Sequence, residues 1–368
     1  MVKKIKVIHY SWETLAYVGP LLSSLDGLGV DAISAPKWSR KGSIRIALGP
    51  IQLFWLRARG FQVINFHFIQ EMFRPLYVDT IWWRAIFYMW YKLFLRTAKL
   101  LGFKLVWTAH NLVPHDRVFT DDVKARQFLV DKCDLLISLN PVATRNVQRK
   151  YNPKKMITIY PAIEPIQQTI SRVEFRKSYG IPENGVVFSH LGRLRPYKGT
   201  SLLLEAVGLA PLDATCIVFG PVPEYSPEYL VQLTSQVDAL VDQGHDICFE
   251  NRFLYGEDFA NVFAASDFFI YPLQRVTNSG VVSLVLLSGV PLVIPDLPDF
   301  DWIPQDCAIR YSHEGGALAL RGALEMAMQM SPESRQSMID AGKEFSKDWN
   351  WSFVAHAYKL AYEELLNR

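Results

Sequence analysis

The chain has 368 residues, of which 50% are hydrophobic and 13% aromatic, and its formal net charge is +3. That length fills two cores of ordinary size, and so apolar a composition excludes long disordered tracts. A charge so close to balance, with no zinc-ligand spacing, RNA-binding signature or arginine-rich tail, excludes bulk attraction to nucleic acid.

Short apolar runs alternate with longer helical patterns from one end to the other. The first residues, Met1-Val-Lys-Lys-Ile-Lys-Val-Ile-His9, open with lysines. Their apolar run is too short for a signal peptide and reads as a first strand over 5–10. Further strands are expected at 31–35, 63–68, 104–109, 135–139 and 156–160 in the first half. The second half repeats the pattern at 186–191, 215–220, 247–250, 268–272, 291–294 and 308–311. Strands that are continuously apolar and separated by helices belong to parallel sheets covered on both faces. Two such sets predict an α/β chain of two Rossmann-like domains, with the boundary inside 160–184, where Pro161, Pro165 and Pro182 flank a polar, basic stretch. A final helix over 352–366 follows Asp348-Trp-Asn-Trp351. The four cysteines, Cys133, Cys216, Cys248 and Cys307, form no C-x-x-C pair and fit reduced thiols of a cytoplasmic protein.

Residues 81–101 are crowded with aromatics but also carry Arg84, Lys92, Arg96 and Lys99, too many charges for a spanning helix of about 20 apolar residues. On a helical wheel the cations share about one third of the circumference. Trp82, Trp83, Ile86, Met89, Trp90 and Leu93 take the opposite side. Two readings remain open and compatible. The apolar arc packs on the domain's sheet, or residues 82–104 lie on an anionic membrane surface with tryptophans at headgroup level.

Three places carry chemistry. Gly192, Arg193, Arg195, Lys198 and Gly199 occupy the loop where the strand 186–191 gives way to a helical run. The carboxyl end of such a strand is where α/β sheets bind ligands, and fixed cations there suit phosphate. The run after Thr277-Asn-Ser-Gly280 reads as a helix whose free amides and dipole face an anion, with Gly280 permitting close approach and Asn278 or Ser279 capping or bonding phosphate. His110 follows the strand 104–109, and its neutral imidazole offers one donor and one acceptor. Solvated loop cations and an ordinary N-cap describe the first two places equally well.

Gly192-Arg-Leu-Arg-Pro-Tyr-Lys-Gly199 resembles the G-R-x-x-x-x-K-G signature of GT-B-fold glycosyltransferases, in particular the large retaining family numbered four. Trp107-Thr-Ala-His-Asn-Leu-Val-Pro-His115 is similar to that family's T-x-H-N-x-x-P-H segment. Ala264-Ala-Ser-Asp-Phe-Phe-Ile-Tyr-Pro272, Thr277-Asn-Ser-Gly280 with Ser288-Gly-Val-Pro-Leu-Val293, and Asp348-Trp-Asn-Trp-Ser352 resemble further family stretches in the same order. The resemblance implies that Arg193 and Lys198 hold a donor diphosphate, with Gly192, Asn278, Ser279, Gly280 and Val281 around it, and that His110 stabilises the reacting sugar. It implies a base-recognition region at Arg252 and Phe253, an acceptor side at Trp12, Tyr17, His67 and His115, and neither metal, cofactor nor protein nucleophile. One departure stands out. Where the family carries two glutamates eight positions apart, this chain has Val276 and Leu284; a bacterial subset with a T-x-S-G loop likewise lacks the paired glutamates.

The resemblance implies an N-terminal acceptor domain over 1–165, a nucleotide-sugar domain over 166–345, and a last helix over 346–368 that returns to the first, the two parallel sheets facing across a cleft. The implied activity is transfer of a hexose from a GDP- or UDP-linked donor to a glycan or lipid-linked acceptor with retention, in exopolysaccharide or cell-surface glycan synthesis. The setting is cytoplasmic or peripheral at the inner face of the plasma membrane. A non-catalytic nucleotide-sugar or glycan binder is the alternative that the missing glutamates raise.

Overall fold

The structure is a computed structural model that describes residues 4–11, 17–35, 49–68, 80–110, 112, 118–164, 166–274 and 280–367. Trp12, His115, Asn278 and Ser279 lie outside the described residues, as do Asn111, Pro114, Val276 and Thr277. The chain forms two compact units, one of Met1–Ile163 with Trp349–Arg368 and the other of Glu164–Asp348.

In the first unit the elements are β1 (Lys6–Tyr10), α1 (Val18–Gly27), β2 (Asp31–Ser34), α2 (Gly49–Ala58), β3 (Val63–Phe66) and α3 (Ile81–Leu100). They continue with β4 (Lys104–Ala109), α4 (Asp122–Lys132), β5 (Leu135–Ser138), α5 (Pro141–Tyr151) and β6 (Met156–Thr158). The sheet order is β2-β1-β3-β4-β5-β6, all parallel. Its strands are apolar on both faces because each face is covered. Ile8, Ile64, Leu105 and Trp107 face one layer, with Phe94 and Leu129. Val7, Val63, Val106 and Ile137 face the other, where the last helix lies. Placing β1 between β2 and β3 makes the β1/β3 boundary the point where strand order reverses. In such sheets the crevice opens there, at the carboxyl ends.

The second unit comprises α6 (Arg172–Ser178), β7 (Val186–Leu191), a 3₁₀ turn (Pro196–Lys198), α7 (Thr200–Gly208), β8 (Ala214–Phe219), α8 (Pro227–Asp242) and β9 (Ile247–Glu250). There follow α9 (Gly256–Ala265), β10 (Phe268–Ile270), α10 (Gly280–Ser288), β11 (Leu292–Pro295), β12 (Ala308–Tyr311), α11 (Gly316–Met328) and α12 (Pro332–Ser346). Its parallel sheet runs β12-β11-β10-β7-β8-β9, so the order reverses between β7 and β10. Asp267, just before β10, ties this unit together. Its carboxylate accepts from Arg172, Arg176 and Arg335, each at 2.9 Å, and from the Val187 amide.

The last helix, α13 (Trp351–Leu366), belongs to the first unit and packs against α1. Asn350 caps it by accepting from the Phe353 amide. Tyr358 and Tyr362, one turn apart on its buried face, reach polar groups of the sheet. Thr108 Oγ1 lies 3.2 Å from the Tyr358 hydroxyl, and Asn65 Nδ2 donates to Tyr362 at 2.9 Å.

Helix α3 corrects one expectation. The face packed on the sheet consists of Phe87, Tyr91, Phe94, Leu95 and Ala98. Trp82 (79% exposed), Trp83, Ile86, Met89 (68%) and Leu93 stand in solvent, while Trp90 is half-buried against Phe94. The helix therefore has two opposed apolar faces, and the arc facing away from the cations is largely the exposed one. No described helix is long and apolar enough to cross a membrane.

Candidate functional site

In the second unit, the loop after β7 is built by backbone contacts that leave no room for side chains. A Cβ on Gly220 would stand 1.8 Å from the Gly192 carbonyl oxygen, and one on Gly199 would stand 1.9 Å from that of Pro272. Both glycines also have positive φ, +152° and +75°. The loop is thereby pressed onto the ends of β8 and β10, and Gln274 donates its amide to the Tyr197 carbonyl. Val281, in the first turn of α10, lies 3.9 Å from where a Gly192 Cβ would be. The basic loop, residues 271–274 and the start of α10 thus meet at the point where strand order reverses.

Lys198 is drawn inward. Its Nζ donates to the Tyr271 hydroxyl at 2.6 Å and sits 4.9 Å from that ring. Burial holds its ammonium below the usual lysine range, as Arg195 does to a lesser degree. Arg193 is exposed and Arg195 half-buried, its Nε without a partner among the described residues. Among the described residues, none of these three cations has a carboxylate within 4 Å. Other arginines of this unit are matched. Arg172, Arg176 and Arg335 share Asp267, Arg321 pairs with Glu325, and Arg310 donates to two carbonyls. Three cations without a carboxylate partner among the described residues therefore stand at one sheet end beside the first turn of α10, an arrangement that suits an anion.

Arg252 is spent elsewhere. It is held by Glu250 and by Asp258 at 2.9 Å, and Glu250 also accepts from the Tyr179 hydroxyl. Its side chain is thus committed, whereas Phe253 is 56% exposed with Tyr255 edge-on at 5.3 Å. Leu284, at one of the two glutamate positions, is buried within α10.

In the first unit, His110 lies at the carboxyl end of β4, its ring stacked on Phe68 at 4.4 Å with Tyr17 edge-on at 5.1 Å. Its Nε2 is 3.1 Å from Nδ1 of His67, whose Nε2 is 2.9 Å from Nδ1 of His9. Adjacent β1, β3 and β4 supply one ring each. Burial depresses all three: His9 falls to about 3, and His67 and His110 also shift down. His67 is 2% exposed with both nitrogens engaged. It stands behind His110 and does not present its ring to an acceptor. Tyr17 turns its hydroxyl to that of Tyr358 at 3.2 Å, so that group too is used internally.

Sequence reading did not single out His9 or Tyr271. The available signals were a histidine inside an otherwise apolar strand and a tyrosine at the carboxyl end of β10.

No family model matches the chain. By structure it is similar to sucrose-phosphate synthase of Thermosynechococcus elongatus, at a TM-score of 0.72 and 14% identity over 99% of this chain and 100% of that one. It is also similar to HepE of Anabaena in complex with UDP, at 0.72 and 14% over 98% and 100%. At such identities the likeness is one of fold, and the fold is GT-B, with two Rossmann-like domains. Two curated relatives share 26% identity, both D-inositol 3-phosphate glycosyltransferases. The Saccharomonospora viridis protein matches over 273 residues, 62% of this chain and 62% of its own length. The Corynebacterium diphtheriae protein matches over 289, 72% of this chain and 66% of its own. In both, the match spans less than two thirds of the relative.

Proposed function

We propose that the chain is a glycosyltransferase that moves a hexose from a nucleotide-diphosphate sugar to a glycan or lipid-linked acceptor with retention. The observation that carries this reading is the trio Arg193, Arg195 and Lys198, without carboxylate partners among the described residues, beside the first turn of α10. As the glycosidic bond breaks, negative charge accumulates on the diphosphate leaving group. Cations fixed in advance stabilise that charge more in the transition state than in the ground state. His110 acts on the transferred sugar through hydrogen bonds, and departure needs neither a resident metal nor a protein nucleophile. The curated relatives' names and the UDP-bound HepE support a nucleotide-sugar donor and a sugar-like acceptor. Phe253 and Tyr255 offer the nucleobase a stacking surface.

The acceptor is a lipid-linked sugar of exopolysaccharide or cell-surface glycan assembly, met at the inner face of the plasma membrane. The outer face of α3 supports this reading. Neither α2 nor α3 contains an acidic residue, and Ile51 and Phe54 of α2 are exposed as well. Residues 36–107 hold 12 of the chain's 39 Lys+Arg and two of its 36 Asp+Glu, so the remainder carries 27 cations against 34 acids. An apolar, tryptophan-rich face in a basic region, on an otherwise acidic chain, fits an anionic bilayer, where each cation contributes about 1 kcal/mol.

Turnover is tested by screening GDP- and UDP-sugars with a panel of lipid-linked acceptors. Transfer from one donor, abolished in Arg193→Ala and Lys198→Ala, is the expected result. Binding without transfer to any acceptor would favour the non-catalytic reading.

A further inference from the structure

Three neutral imidazoles linked in series have only two fully bonded proton arrangements. Each ring carries one N–H, and His67 must donate to one neighbour and accept from the other. If His67 holds its proton on Nδ1, it donates to His110 Nε2 and accepts from His9 Nδ1–H, so all three rings are Nδ1–H. If the proton is on Nε2, all three are Nε2–H. The two arrangements differ at the ends of the chain. Among the described residues, His9 Nε2 is buried with no hydrogen-bond partner. The first arrangement leaves a bare lone pair there, and the second leaves a stranded N–H. Buried donors without a partner are the rarer and costlier case.

We propose that His9 and His67 are positioning residues that fix His110 as an imidazole donating from Nδ1. The proposal rests on the assignment of His110 to the transferred sugar. Among the described residues His110 Nδ1 has no partner, so its donor is free for a ligand oxygen. The Phe68 stack and the Tyr17 edge hold the ring plane, and the hydrogen bond from His67 sets which nitrogen carries the proton. Thr108 Oγ1 donates to Asn65 Oδ1 at 3.0 Å. Tyr358, Thr108, Asn65 and Tyr362 thus form a parallel polar network, and α13 braces the strands that carry the rings.

The experiment is long-range proton–nitrogen correlation on the full chain labelled with ¹⁵N-histidine at pH 7. The eight histidines are assigned by single substitutions. His9, His67 and His110 are expected to show the neutral Nδ1–H pattern. His67→Gln, whose amide both accepts and donates, is expected to keep that pattern at His110 and most of the transfer rate. His67→Phe fills the space without bonding. It is expected to release the His110 tautomer and lower kcat about 100-fold, with donor affinity unchanged. An Nε2–H or protonated His110 in the wild type overturns the proposal, as does a His67→Phe spectrum with His110 unmoved. Should His67→Phe not fold, the wild-type spectrum still decides. An Nε2–H pattern alongside an inactive His110→Ala rejects the positioning role but keeps His110 in the site. The expected pattern alongside a fully active His110→Ala rejects the site role itself.

Discussion

Four of the eight histidines, His9, His67, His110 and His190, sit where burial disfavours their charged form. His190 is an internal clamp. It donates from Nδ1 to the Ile270 carbonyl at 2.9 Å and accepts from the Thr200 hydroxyl at 3.1 Å, joining β7 to β10 and to the start of α7. Its imidazole is pushed down to about 4, chiefly by burial. The unfolded chain takes up a proton at each such residue near pH ~6.5, whereas the folded chain resists to well below that, to about 4 at His190 and about 3 at His9 and His110. Their contribution is therefore complete above pH ~6.5 and is lost as the pH falls toward 4. Thermal melts at pH 7, 6 and 5 are expected to show a falling midpoint, with a shallower fall in His190→Asn. A midpoint independent of pH in this range would contradict the burial of these rings as neutral groups.

At the scale of elements, Asp267 holds α6, α12 and β10 through three guanidinium groups. Arg176 among them is almost fully buried and also donates to the Ala265, Pro182, Glu183 and Gly185 carbonyls. Asp267→Ala leaves that charge without its counter-ion, at an expected cost of about 3–5 kcal/mol in chemical denaturation. A loss below ~1 kcal/mol would show the cluster to be ornamental. For α3, vesicle flotation is the test. The wild type should float with anionic vesicles and not with zwitterionic ones, and Trp82→Ser with Leu93→Ser should abolish flotation without changing the melting midpoint. Unchanged partitioning would refute the membrane reading.

The elements themselves were largely legible in the sequence. Parallel strands covered on both faces appear as unbroken apolar runs, and all twelve expected runs are strands in the structure, with ends shifted by a residue or two. Residues 268–272, for example, shorten to Phe268–Ile270, and Tyr271 passes into the loop that meets Lys198. The orientation of α3 was not legible. Apolar residues cover most of its circumference, so the wheel separated cations from tryptophans but did not reveal which apolar side meets the sheet. The histidine chain was hidden for another reason. Residues 9, 67 and 110 become neighbours only through the β1-β3-β4 order, which no local pattern encodes. The basic loop could be proposed as an anion site from sequence because its glycines and cations are contiguous. That its cations have no carboxylate partner among the described residues is a three-dimensional fact.

Across the whole molecule, each of the two sheets reverses its strand order once, and each reversal gathers unusual polar groups at its carboxyl ends. In the second unit these are the three cations and Tyr271; in the first they are three histidines. The proposed function assigns the diphosphate to the second unit. Its central claim is that Arg193 and Lys198 hold a nucleoside diphosphate. Calorimetric titration of UDP and GDP into the wild type, Arg193→Ala and Lys198→Ala tests it most directly. The wild type is expected to bind one of the two nucleotides, and each substitution to weaken that binding about 10- to 100-fold, as for loss of a charged hydrogen bond. Binding of neither nucleotide by the wild type, or equal binding by both variants, would contradict it.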